Sequence, residues 1–170
     1  MIADMSATAE TVAVPPEARR YTYDELLAEF PESNVPCELW DGEVIMPPAP
    51  SFSHQENTLS FYRSLYDWVK ERQLGKVIAA LIDMVLSPHR VTQPDVAFIA
   101  KDRLNIVQRP IMGPADLVAE IFSLGGQRRD RIDKKDLYAQ QNFGTFSAIA
   151  GAASAKLTNA IADRVEATHT

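Results

Sequence analysis

The dipeptide Asp41-Gly42 stands between two short strand-forming runs, Cys37-Glu38-Leu39-Trp40 and Glu43-Val44-Ile45-Met46. Asp-Gly tolerates the positive φ angles of a two-residue turn, so the segment reads as a β-hairpin. Pro47-Pro48-Ala49-Pro50 stops the second strand. The chain must therefore build a sheet and cover it.

Helix signals lie on both sides of the hairpin. Thr22-Tyr23-Asp24-Glu25 fits a capping box and opens a short helix through about Phe30, which Pro31 ends or kinks. Ser53-His54-Gln55-Glu56 is a second match. The helix behind it runs to about Gln73, with Leu59, Tyr62, Leu65, Tyr66 and Val69 as its apolar stripe and Gly75 just past its end. Three apolar, partly β-branched runs then read as strands: Val77 to Leu86, Val96 to Ala100, and Leu117 to Phe122. Residues 101–113 connect the last two. A charged helix follows Gly125-Gly126, from about Arg128 to Gln141, with Leu137 and Tyr138 facing inward and Asp130 and Lys134 paired at i,i+4. Helix, hairpin, helix, strands, helix is the order of an α/β or α+β protein with a mixed sheet.

Residues 1–20 are rich in Ala, Thr and Pro without apolar period and are expected to form a flexible tail. Residues 21–144 make the domain. In residues 145–170 eight of 26 positions are Ala, and only a weak helix, Ala152 to Val165, is expected there.

Composition narrows the function. One cysteine, Cys37, excludes an internal disulfide framework and a cysteine-based zinc site, and fits a reducing, cytoplasmic setting. No apolar run approaches the roughly 20 residues that span a bilayer, so no membrane partner is expected. Neither a secretory signal, a P-loop nor a Gly-x-Ser-x-Gly pattern is visible. The net charge of −6 counts mildly against a nucleic-acid partner, although metal-binding carboxylates add negative charge that a cation offsets.

Several residues are candidates for chemistry. Glu120 interrupts the apolar run Leu117 to Phe122. It is either an edge glutamate facing solvent or a buried carboxylate that needs a partner, a proton or a metal. Asp95 follows Gln93-Pro94 ahead of an apolar strand and reads as a turn aspartate or a site acid. Glu38 opens the hairpin and is a surface glutamate by residue type alone. Arg128-Arg129-Asp130-Arg131-Ile132-Asp133-Lys134-Lys135 carries five cations and two acids, a solvated helix face or a phosphate-facing patch. His54 reads as a surface residue near a cap before it reads as a general base.

In their order these blocks resemble the Uma-type restriction-endonuclease-like family of the PD-(D/E)XK nuclease superfamily. The blocks are Glu38 to Glu43, Ser53-His54-Gln55, Leu86-Ser87-Pro88 leading to Gln93-Pro94-Asp95, Val118 to Ser123, and Arg128 to Lys134 with Leu137-Tyr138-Ala139. The resemblance spans about residues 20–143. It implies a restriction-endonuclease-like core, a mixed sheet flanked by helices. Asp95 and Glu120 match the two core acids, and Glu38 the family's extra N-terminal glutamate. Phe122 stands where the plain motif has its lysine, and Lys134, with Lys135 as the alternative, takes that role from the next helix. The three acids would bind Mg2+ or Mn2+, and Arg128, Arg129, Arg131 and Lys135 would face the DNA phosphates. The product would be a hydrolysed phosphodiester, from a monomer or a homodimer.

The resemblance ends after Tyr138-Ala139. The family continues into a Gly-Val-Pro-Glu-Tyr-Trp-like segment that forms a further core strand, and this chain reads Gln140-Gln141-Asn142-Phe143-Gly144-Thr145 instead. Loss of that strand would bare a sheet edge, lowering stability or requiring a covering partner. The alternative function is thus an inactive nuclease-fold interaction module or a degraded family member.

Overall fold

The protein is described by a computed structural model, which covers residues 19–30, 36–79 and 81–122, together with the backbone of 145–150. Helix α1 spans Tyr23–Glu29. The Thr22 hydroxyl accepts from the Glu25 amide, and the Glu25 carboxylate returns the bond to the Thr22 amide. This is the capping box that the sequence spells.

Strands β1 (Glu38–Trp40) and β2 (Glu43–Ile45) form the hairpin, with φ of 49° at Asp41 and 87° at Gly42. Helix α2 spans Phe52–Arg72 and starts earlier than the Ser53-to-Glu56 signature suggests. Its N-cap is Ser51, whose Oγ accepts from the His54 amide at 3.2 Å. It ends on Gln73 in the left-handed region rather than on Gly75. The buried stripe is also rotated from the expected one: Thr58, Phe61, Leu65 and Val69 face inward, while Leu59 is 58% exposed. Phe61 and Leu65, both fully buried, set this phase by packing into the core cluster above the sheet.

The expected strand from Val77 to Leu86 is two strands. β3 (Gly75–Ala79) and β4 (Met84–Ser87) are separated at Leu81, whose φ is 27°, and belong to different sheets. β5 (Arg90–Thr92) returns beside β4. β6 (Val96–Ala100) leads into a 3₁₀ turn, Lys101–Ile106, then β7 (Ile111–Met112) and β8 (Leu117–Phe122). β9 (Thr145–Ala150) closes the described chain.

Two sheets result. One has the order β2-β1-β5-β4-β7, with β4 and β7 parallel; the other has the order β3-β6-β8-β9, antiparallel except for the parallel pair β8 and β9. The bare β8 edge expected from the altered C-terminus is therefore absent. Thr145 to Ala150 pairs with Leu117 to Phe122 over six positions, so an Ala-rich segment serves as a strand by backbone pairing.

Side chains alternate between two packed layers. Val96, Phe98, Ala100, Leu117, Ala119 and Ile121 meet Phe61, Leu65 and Val69 of α2. Ala97, Ile99 and Val118, on the opposite face, meet Met84 of β4 and Ile111 of β7. On the outer face of the first sheet, Leu39, Val85 and Val91 pack under Tyr21 and Tyr23. The molecule is α+β, with sheets of mixed direction flanked by helices. The two sheets lie face to face, and that inner layer holds the polar residues of interest.

The helix expected from Arg128 to Gln141 and the terminal one from Ala152 to Val165 lie outside the described residues. Among the described residues, no helix is long and apolar enough to cross a membrane.

Candidate active site

Strand register brings the two core acids together. Val96 stands opposite Ala119 and Ala97 opposite Val118. Asp95 directly precedes Val96, and Glu120 directly follows Ala119. Facing residues of an antiparallel pair project from one side of the sheet. Ala97 and Val118 face the inner side, so Glu120, two residues after Val118 on the same strand, faces it too.

Glu120 is 3% exposed. It is not the solvent-facing edge glutamate that alternation alone allows. Ala119 and Ile121 do face a core, under α2, but Val118 faces a second core on the opposite side. With both faces of β8 covered, the Glu120 side chain is buried rather than solvent-facing. A buried carboxylate is tolerated only with compensating polar partners or a cation.

Asp95 is held by two donors on one oxygen. Its Oδ2 accepts the Ile121 amide at 2.7 Å, tying the residue before β6 to the strand that carries Glu120. The same Oδ2 lies 3.2 Å from His54 Nε2, with both side chains about one-fifth exposed. His54 is thus no surface cap residue. The Ser51 cap and the Thr58 hydroxyl, which donates to the His54 carbonyl at 2.8 Å, fix the first turn of α2 so that the imidazole reaches over the end of β6. The Asp95 carboxylate raises the His54 pKa against the opposing effect of burial, and Glu120 adds to the rise.

Glu38 enters the same inner layer from the other sheet. Leu39 and Val91 point outward into the cluster under Tyr21 and Tyr23, so their neighbours Glu38 and Thr92 point inward. Glu38 is 2% exposed and far from a surface glutamate. Its Oε1 accepts the Thr92 hydroxyl at 3.0 Å and the Gln93 amide at 2.9 Å, and its Oε2 accepts the Trp40 indole N–H at 3.1 Å.

Gln93 extends the network. Its side chain accepts the Cys37 amide at 3.2 Å and donates to Asp83 at 2.7 Å. Asp83 in turn accepts the Tyr23 hydroxyl at 2.8 Å, and burial together with that bond raises the Tyr23 pKa. The turn Gln93-Pro94 is therefore anchored on both sheet and helix immediately before Asp95. Sequence reading missed Tyr23, Asp83, Thr92 and Gln93. Their only signal was position: Thr92 and Gln93 precede Pro94-Asp95.

Lys134, Lys135, Arg128, Arg129 and Arg131 lie outside the described residues. Among the described residues, no group of three or more His, Cys, Asp or Glu side chains is arranged as a metal cage. Magnesium does not need one, because it keeps most of its water and takes one or two carboxylates. Asp95, just ahead of β6, and Glu120, on β8, are hard oxygen donors of that number and fit such an ion.

Comparison with known proteins bears on the fold and the family. A solved structure of a "putative nuclease belonging to DUF820" from Anabaena variabilis superposes with a TM-score of 0.63 at 19% identity, covering 76% of this chain and 73% of that one. The likeness establishes a shared fold. No curated protein matches the chain. The family model described as "Uma2: Putative restriction endonuclease" matches residues 22–145, which include β1 to β8 and all three acids. The chain belongs to the Uma2 family.

Proposed function

We propose that the protein is a metal-dependent nuclease that hydrolyses phosphodiester bonds in DNA. The observation that carries the reading is the bond from the Ile121 amide, next to Glu120 on β8, to the Asp95 carboxylate, with Glu120 buried in an otherwise apolar strand. Family membership and the nuclease named for the related fold support it.

Each group has a task in this reading. Asp95 and Glu120 hold the cation. When bound, a divalent ion lowers the pKa of water and screens the charge of the scissile phosphate. Glu38, with both oxygens engaged by Thr92, Gln93 and Trp40, fixes the turn ahead of Asp95 and keeps that acid in register. Lys134, or Lys135 beside it, steadies the developing charge on the phosphate. Arg128, Arg129 and Arg131 bind the flanking backbone, which an acidic protein needs if it is to hold DNA. A cytoplasmic location suits both the substrate and the single free thiol.

Incubation of the full chain with supercoiled and linear DNA in Mg2+ or Mn2+ tests the proposal. Cleavage is expected to fall at least about 100-fold in Glu120→Ala and Asp95→Asn, in line with loss of residues that would hold the ion. DNA left intact by folded wild-type protein with either metal would refute it. Equal cutting by Glu120→Ala would do the same.

A further inference from the structure

We propose that His54 is a positioning residue of the Asp95–Glu120 site, fixing through its Nε2 the orientation in which the Asp95 carboxylate meets a divalent cation. The proposal rests on the metal-dependent reading above and assigns a role to a residue outside the acid and lysine set.

Geometry carries it. Both donors to Asp95, the Ile121 amide and His54 Nε2, converge on the same oxygen, Oδ2. Two donors from different elements, one on β8 and one on α2, fix both the position and the twist of a planar carboxylate. A single donor would leave it free to rotate about its Cβ–Cγ bond. With Oδ2 satisfied in this way, Oδ1 is the oxygen that would meet a cation in the metal-dependent reading.

The alternative roles for His54 are weaker. A general base needs a nitrogen open to the attacking water. Nε2 is engaged by Asp95, and Nδ1 is buried with no hydrogen-bond partner among the described residues. A plain helix cap is excluded because Ser51 already fills that place and uses only the His54 backbone amide. The main polar task left to the side chain is donation to Asp95, with the Ile121 backbone as a lesser partner. His54 also ties the two halves of the site to the helix that covers them: moving the first turn of α2 moves the donor.

Glutamine can place an amide N–H near the position of Nε2, whereas methionine has similar reach and no donor. Calorimetric titration of the full chain with Mn2+ is therefore made on wild type, His54→Gln, His54→Met and His54→Ala, with a thermal melt of each sample. Wild type and His54→Gln are expected to bind within about 3-fold of one another. His54→Met and His54→Ala are expected to bind about 10-fold or more weaker while still folded, the usual loss when the partner of a metal ligand is removed. Folded His54→Met that binds Mn2+ as tightly as wild type overturns the proposal and leaves the nuclease reading intact. Loss of fold in both donor-less variants would mark a contact that serves only the fold, and overturns it too. Folded wild type that binds no Mn2+ defeats the metal-dependent reading itself, and this proposal with it.

Discussion

Glu38 draws three donors onto one buried carboxylate: a hydroxyl from β5, the backbone amide of Gln93 and an indole N–H from its own strand. The charge is tolerable there because every nearby donor points at it. The donors are equally dependent on the acid. Glu38→Ala would take that acceptor from the buried Thr92 hydroxyl and the part-buried Gln93 amide, and a lost bond to a charged group costs about 1.5–3 kcal/mol. We expect Glu38→Ala to lower the unfolding free energy by about 3–5 kcal/mol, since breaking a buried charged network costs that order. Glu38→Gln, which keeps one acceptor oxygen, should lose about half as much. Urea unfolding measures both, and the midpoint should fall with an unchanged slope. A Glu38→Ala protein as stable as wild type would show that these bonds do not organise the turn before Asp95.

At the level of elements, β3 depends on a close approach that only glycine permits. A Cβ on Gly75 would run into the carbonyl oxygen of Ile99, its neighbour across the β3–β6 pair, and that obstacle is backbone. Gly75→Ala must therefore push β3 away from β6 and disturb five paired positions from Gly75 to Ala79. The expected cost is about 2–4 kcal/mol, the range for overpacking against a rigid neighbour. Thermal unfolding would read this as a fall of roughly 5–15 °C for a chain of this size. A melting point within a degree of wild type would mean that the pair yields freely.

The same elements separate what could be read in the sequence from what could not. The capping box at Thr22, the Asp41-Gly42 turn and the strands at Val96 and Leu117 are local signals, complete within a few residues, and each stands where it was expected. The phase of α2 is not local: Phe61 rather than Leu59 turns inward because of what β6 and β8 offer it. The split between β3 and β4 follows from the chain changing sheets, which hydrophobicity alone does not announce. The site behaves alike. Asp95 and Glu120 could be matched to a family pattern, but the burial of Glu120 follows from a second layer covering β8. His54 was undervalued because its partner lies 41 residues away in the chain.

For the whole molecule, the question is what closes the second sheet beyond β8. The Ala-rich composition after residue 144 points away from a strand, yet β9 runs parallel to β8 over its full length. This pairing supports the site directly, because Glu120 stands opposite Ala148 and Ile121, the donor to Asp95, opposite Ile149. Removing β9 would free one side of the strand that carries both. It would also expose the kind of unpaired edge that recruits other chains. A chain ending at Ala150 and one ending at Gly144 differ only in that strand. The first should melt as a cooperative unit. The second should lose about 3–6 kcal/mol, at roughly 1 kcal/mol net for each backbone hydrogen bond given up, and should associate in size-exclusion chromatography as its concentration rises. Its Mn2+ affinity should fall as well, because β8 then has no neighbour holding Glu120 from the outer side. Equal melting, size and metal binding in the two chains would show that the core is already complete at β8.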